Sequence, residues 1–412
     1  MFKKTGTLAI LCCWVLLVQC SSKSTPPPTP TPVRDLTTAE KELVTSSNKF
    51  GLKLFREIVS QEGDKNIFVS PLSVAMALGM TYNGANGATQ EAMQNTLELQ
   101  GMSLEDVNKS YRSVIDLLRG LDSKVTFQIA NSIWYRQGFK VESTFVDLNK
   151  TYFDAVVQAL DFADPSAVVT INDWVKENTN GKIDKIIERI PDSTIMYLID
   201  AIYFKGTWKL QFDPKKTTAE PFHLSDGSVK SCQMMVMPET DIAFFRSGEF
   251  SAIDLKYGDG DYSMTIILPN RNVNLDSVMA QLTDENWQSW LGQFQPENWA
   301  LQIPKFEIEY DKSLKDVLSA LGMGVAFTEF ADFTGINREG NLLITEVKHK
   351  TYVKVDEEGT EAAAVTSVEI GTTSFGPRIF QVNRPFLFVI HENHSGTILF
   401  MGKIVDPTLR VM

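Results

Sequence analysis

Residues 357–373, EEGTEAAAVTSVEIGTT, constrain the fold more than any other stretch of this chain, because their side chains sort by parity. After Glu357, Glu358 and Gly359, one parity carries only uncharged residues, Thr360, Ala362, Ala364, Thr366, Val368 and Ile370, while Glu361 and Glu369 fall in the other. Successive side chains of a strand point to opposite faces. The segment is therefore built to enter a core as a strand with one face inward, and the small Ala362, Ala363 and Ala364 would enter without overpacking it. The opposite face, Glu361 included, is expected to stay in solvent.

The flanks support a sheet on both sides. Residues 345–356 (TEVKHKTYVKVD) alternate, with Val347, His349, Thr351, Val353 and Val355 on one face and Lys348, Lys350, Tyr352 and Lys354 on the other. Two short apolar runs, residues 386–390 and 397–401, enclose a polar turn and read as a buried β-hairpin.

These residues resemble one family, the serpins. VDEEGTEAAAVT is similar to the hinge of the protease-inhibiting members, and NRPFLFVI with GTILFMGKIVDP to the family's C-terminal strands. NIFVSPLSVAMALGMTYNGANGATQEAM, FQIANSIWY, INDWVKENTNGKI, AIYFKGTWKLQFDP and YSMTIILP also resemble family blocks and stand in family order. The resemblance runs from about residue 38 to about 407. It implies an α+β fold of three β-sheets and about nine helices with an exposed reactive loop, and a large sheet able to accept one more strand.

The residues read independently agree with that class. At 412 residues and 43% hydrophobic, the chain can bury a large core. No linker or repeat interrupts it after the first thirty-odd residues, so residues 37–412 are expected to form a single domain. Thr37 and Glu40 form a capping-box pattern ahead of Leu43, Phe50, Leu54 and Ile58 at helical spacing. Further helices are predicted over residues 74–82, 104–118 with Ser103 as N-cap, 167–177 after Ser166, and 313–321. Phe306, Ile308 and Tyr310 alternate as a strand would.

The N-terminus reads as a processing signal over residues 1–19. Lys3 and Lys4 precede an apolar run too short to span a bilayer, and Leu17-Val18-Gln19-Cys20 resembles a bacterial lipobox. Cys20 is then the lipidated first residue, and residues 20–36 form a Pro-rich spacer that lifts the domain off a membrane. The expected product is an exported, membrane-anchored bacterial lipoprotein, on the periplasmic face or the cell surface of the outer membrane. Only Cys232 remains in the domain, which therefore has no internal disulfide.

The function classes narrow accordingly. The chain has no GxSxG elbow, P-loop, HExxH or dinucleotide fingerprint, so it does not read as an enzyme. His391-Glu392-Asn393-His394 has the wrong spacing for a zinc helix and reads as a hairpin turn, so neither a metal nor a cofactor is expected. A net charge of −12 with scattered basic residues argues against nucleic acid. In residues 103–120, where some serpins bind polyanions, only Lys109, Arg112 and Arg119 are basic, so no strong heparin site is expected.

The resemblance also assigns a mechanism. It implies a monomeric suicide-substrate inhibitor that forms a covalent complex with serine proteases; the alternative is a non-inhibitory serpin acting as a binding or carrier protein. The hinge, Glu357, Glu358, Gly359, Thr360, Glu361, Ala362, Ala363 and Ala364, has no bulky or charged residue at its inward positions. Counting fourteen residues from Gly359 places the reactive bond at Thr373-Ser374, which suits an elastase- or subtilisin-like pocket. Val368, Ile370 and Thr372 are alternative cleavage points, the first two also fitting a papain-like cysteine protease. Ser70, Ser73 and His349 match the family's polar cluster beneath the opening sheet. Asp200 stands where most members carry Asn, and a carboxylate beside that imidazole is expected to form a charged pair that makes sheet opening pH-sensitive.

Overall fold

The predicted capping box forms. In the computed structural model, which describes residues 33–361 and 378–409, Thr37 Oγ1 accepts from Glu40 N while Glu40 Oε2 accepts from Thr37 N at 2.7 Å. Both orphan amides at this end are thereby satisfied. The helix Thr38–Glu62 that follows buries Leu43, Phe50, Leu54 and Ile58. Pro71 stands in the first turn of the next helix, Pro71–Tyr82, where its missing N–H costs nothing, and the Ser70 side chain caps the Ser73 amide. Helix Leu104–Leu118 begins at Ser103 as expected, with Asp106 N donating to the Ser103 hydroxyl.

Two helix ends differ from the reading. Ser166 lies inside the helix Ser166–Asn178, and its amide is taken by Asp164 Oδ1 at 2.8 Å. Residues 313–321 do not form one helix. Strand Phe306–Ser313 runs on because Lys312 and Ser313 pair with His349 and Lys348, leaving a short helix, Lys315–Leu318. The turn after it carries Gly322 at φ 109°, in the region that favours glycine.

Nine α-helices and fifteen strands occur among the described residues. The strands form two hydrogen-bonded sheets. What the family resemblance counts as the two smaller sheets runs here as one nine-stranded ladder, continuous through the long strand Val229–Arg246, whose register against Gln295–Pro304 shifts between Met237 and Thr240. The predicted hairpin lies inside it, beside the edge strand Ile67–Val69, as Phe386–Glu392 and Ile398–Ile404, every residue buried. Both faces of these strands are covered, which explains their unbroken apolar runs.

The six-stranded sheet positions the site. Its order is Phe306–Ser313, Lys348–Val355, Gly359–Thr360, Met196–Thr207, Val125–Arg136, Val156–Leu160. One face packs on the main core over helix Pro71–Tyr82. The other carries a smaller cluster around Trp134, Ile171, Val175, Ile183 and Ile199, beneath helix Ser166–Asn178.

Candidate functional site: an open seam in the large sheet

Among the described residues, no backbone pairing joins Lys348–Val355 directly to Met196–Thr207. The two-residue strand Gly359–Thr360 bridges them at one end, with Thr360 opposite both Val355 and Gly206. Glu361 N extends this register by donating to Lys354 O at 3.3 Å. At the other end of the seam, between residues 196–200 and 347–350, lies a cavity of about 300 Å³, floored by Ser73, Val74 and Leu78 of helix Pro71–Tyr82 and walled by Leu198, Asp200, Val347 and His349. Among the described residues, the start of the hinge is thus already paired into a sheet that is otherwise open.

Local chemistry explains why the hinge sits there. Gly359 has φ 155°, and a Cβ on it would fall 2.0 Å from Gly206 O, so only glycine allows this approach. Thr360 points inward as its parity predicts, and its hydroxyl lies 2.7 Å from the buried Tyr257 hydroxyl. Trp208 fastens the turn before it: its backbone N donates to Glu358 O and its indole N to Asp356 O.

The hinge acids are held inside the structure. Glu357 is buried, accepting from Lys305 Nζ at 2.7 Å and Thr217 Oγ1 at 2.6 Å. Burial pushes its carboxyl up, but these two donors bring it below the ordinary value. Glu361 departs from the expectation of a solvent face. Its side chain is 7% exposed, with Lys182 Nζ 2.7 Å from Oε1. The residue has φ 58°, and its side chain shares a small cavity with Thr179, Lys182 and Ile183 of the segment that follows helix Ser166–Asn178.

The polar cluster lies at the floor of the seam. Ser70 N donates to His349 Nε2 at 3.0 Å, and Ser70 Oγ donates to Leu399 O at 2.8 Å. His349 is therefore a neutral acceptor, and burial lowers its pKa to about 4. Asp200 reaches the same cavity, yet neither carboxylate oxygen has a well-formed hydrogen bond. Burial raises its carboxyl to about 8, an effect that the Ser73 hydroxyl only partly offsets. The expected charged pair between Asp200 and His349 is not formed: both groups are uncharged at neutral pH, because burial penalises either charge.

The remaining expectations divide by location. Ala362, Ala363, Ala364, Val368, Ile370, Thr372, Thr373, Ser374 and Cys20 lie outside the described residues. His391 is buried, with Nε2 3.2 Å from Asp254 Oδ1, and Glu392 closes the following turn by accepting from Ser395 N at 2.7 Å. On helix Leu104–Leu118, Lys109 pairs with Glu105 and Arg112 with Asp116; Arg119, at its C-cap, pairs with Asp154. Cys232 is buried, and burial pushes its thiol up to about 11.

Lys305, Lys182, Tyr257, Trp208 and Thr217 were not singled out in the sequence. Each meets the hinge from at least 50 positions away, as in the 52-residue separation of Lys305 and Glu357. No local period marks such a partner.

With this geometry in view, the chain matches the family model for serpin, serine protease inhibitor, over residues 45–407. It is 36% identical over 374 residues to Iripin-1 of Ixodes ricinus, covering 88% of this chain and 94% of that one. Among solved structures it is similar to tengpin, a thermophilic serpin in the native state, at 31% identity and TM-score 0.81, over 92% of this chain and 97% of the other. It is also similar to human thyroxine-binding globulin complexed with its ligand, at 28% identity and TM-score 0.82, over 90% and 100%.

Proposed function

Because the chain belongs to the serpin family, we propose that it is a suicide-substrate inhibitor of serine proteases, drawing its cleaved loop into the open seam. The observation that carries this reading is the hinge: Thr360 already pairs with strands on both sides of the seam, and Gly359 with one of them, while no described residue pairs those two strands directly.

A serine protease cleaves through an acyl-enzyme, whose hydrolysis needs an intact oxyanion hole and an oriented general base. An inhibitor has to disrupt that geometry between the two steps. Insertion of residues 360–371 would do so: about twelve residues at ~3.3 Å each move the tethered enzyme on the order of 40 Å. The inserted strand gains hydrogen bonds on both edges, so the cleaved form is the more stable and the native fold is kinetically held. A charged Thr360 replacement would have to desolvate its charge against Tyr257, which is why the small neutral residue matters.

The reactive bond is assigned to Thr373-Ser374, with elastase- or subtilisin-like targets, and Val368 or Ile370 would fill the second pocket of a papain-like enzyme. The full chain is a bacterial lipoprotein in this reading, anchored through Cys20. Similarity to thyroxine-binding globulin supports the rival reading, a serpin that binds a ligand without trapping a protease.

The test mixes the chain with elastase, subtilisin, trypsin and papain and analyses the products on denaturing gels. Detergent-resistant complexes with elastase or subtilisin, and a released peptide beginning at Ser374, are the expected result. Clean cleavage with the protease left active would favour the binding-protein reading. Thr373→Arg should shift the complex toward trypsin; no shift would place the bond elsewhere.

A further inference from the structure

The outer face of the seam is closed by a feature that the inhibitory reading does not use. Tyr203 and Tyr352 flank it, one on Met196–Thr207 and the other on Lys348–Val355. The turn after helix Ser166–Asn178 reaches both strands: Asn180 Nδ2 donates to the Tyr203 hydroxyl at 3.1 Å, and Lys182 Nζ lies 5.1 Å over the Tyr352 ring. The same ammonium pairs with the buried Glu361 carboxylate at 2.7 Å. Burial and the neighbouring Glu361 together push the Tyr203 hydroxyl up to about 12, and Tyr203, Tyr352, Lys182 and Glu361 line one small cavity.

We propose that Lys182 is a positioning residue for loop insertion, seating Glu361 at the mouth of the seam and so fixing the register of the hinge before any protease arrives. The inference rests on the inhibitory reading. Glu361 adopts a left-handed conformation that residues other than glycine rarely hold, while its amide already bonds Lys354 O in the register of a full strand. Something has to hold it there. A carboxylate at 7% exposure has little water around it, and Lys182 sets an ammonium 2.7 Å from it. Without that ammonium the carboxylate leaves for water, the Glu361 amide lets go of Lys354, and the pairing of Thr360 and Gly359 frays behind it. With it, entry of the loop begins from a seated strand end, with no search for register. Because trapping is a race against deacylation, a seated start raises the fraction of encounters that end in a complex.

The experiment compares the full chain with Lys182→Met, which keeps the stem over Tyr352 and removes the charge, and with Lys182→Arg. Amide hydrogen exchange at Thr360 and Glu361 is measured in the intact protein, together with the moles of inhibitor consumed per mole of elastase or subtilisin trapped. The expected result is exchange about tenfold faster or more in Lys182→Met, a stoichiometry raised about twofold or more, and both restored in Lys182→Arg. Unchanged exchange in Lys182→Met would overturn the seat. Faster exchange with unchanged stoichiometry would overturn its role in insertion. If the unsubstituted chain traps no protease, the inhibitory reading falls by itself, and the exchange comparison alone upholds or overturns the seat.

Discussion

The hydroxyls of Tyr257 and Thr360 meet at 2.7 Å beneath the head of the seam, where the Tyr257 ring is stacked on Trp208 at 4.4 Å. Tyr257 is buried, and its hydroxyl titrates well above the ordinary range because burial opposes the phenolate. The pair is therefore a neutral hydrogen bond. Tyr257→Phe leaves the Thr360 hydroxyl buried and unpartnered, at a cost of about 1–2 kcal/mol to hinge seating. Limited proteolysis in the hinge should accelerate accordingly; an unchanged rate would mean that Thr360 is held by backbone pairing alone.

Asp200 and His349 make opposite contributions to the pH dependence of stability. The Asp200 carboxyl is raised from 3.8 to about 8 on folding, so the native state holds that proton more tightly than the unfolded chain, and this contribution is lost as pH rises through 8. His349 falls from 6.5 to about 4, so its contribution is present above 6.5 and is lost as pH drops toward 4. Between about pH 4 and 6.5 the two slopes largely cancel. From 6.5 to 8 only Asp200 remains, and stability should fall by up to about 1.4 kcal/mol per unit. Urea midpoints at pH 5, 6.5 and 8 test this, and Asp200→Asn should abolish the fall above 6.5. A wild-type profile that stays flat to pH 8 would mean that water or relaxation solvates the carboxylate.

Glu357 ties the start of the hinge to the second sheet through Lys305 and Thr217. Lys305 is about one-third exposed, so solvent screens the pair, and Glu357→Gln is expected to cost about 1 kcal/mol. Glu357→Lys sets two ammoniums against each other and should cost more, with partial recovery in the Glu357→Lys, Lys305→Glu double variant. A double-mutant cycle on chemical unfolding gives the coupling, and zero coupling would assign the loss to Thr217 instead.

Gly359→Ala should unseat the hinge, because its Cβ would strike Gly206 O at 2.0 Å and Thr207 Cα at 2.8 Å. Both obstacles are backbone and neither can swing aside. Losing the pairing of Gly359 and Thr360 corresponds to about 1–3 kcal/mol of local stability. The expected readout is faster amide exchange at Thr360 and more inhibitor cleaved per protease trapped. Wild-type exchange in this variant would show that the sheet can move to admit a side chain.

Period was the part of the fold most legible in the sequence. Val353 and Val355 are buried on the face that alternation assigned to them, and Tyr352 and Lys354 lie on the other. The capping box at Thr37 and the Ser103 cap were readable because each acts within three residues. Glu361 was misread for a reason of the same kind: parity assigned it the outer face correctly, but that face is covered by a segment nearly 180 residues earlier in the chain. The end of strand Phe306–Ser313 was misjudged because pairing with His349 and Lys348, rather than local propensity, keeps it extended.

By itself the sequence determined which faces turn inward, where the chain can pair without a side chain at Gly359, and that Thr360 enters a core uncharged. These are properties of neighbouring residues and of volume, and they travel with the chain. Only the tertiary structure decided that the hinge is already seated, that Lys305 pairs with Glu357 and Lys182 with Glu361, and that Asp200 faces an open slot with no charged partner. Those outcomes depend on which distant groups share one small desolvated volume. There an ion pair or an unpartnered acid carries an energy it would not have in water, and no spacing along the chain encodes that energy.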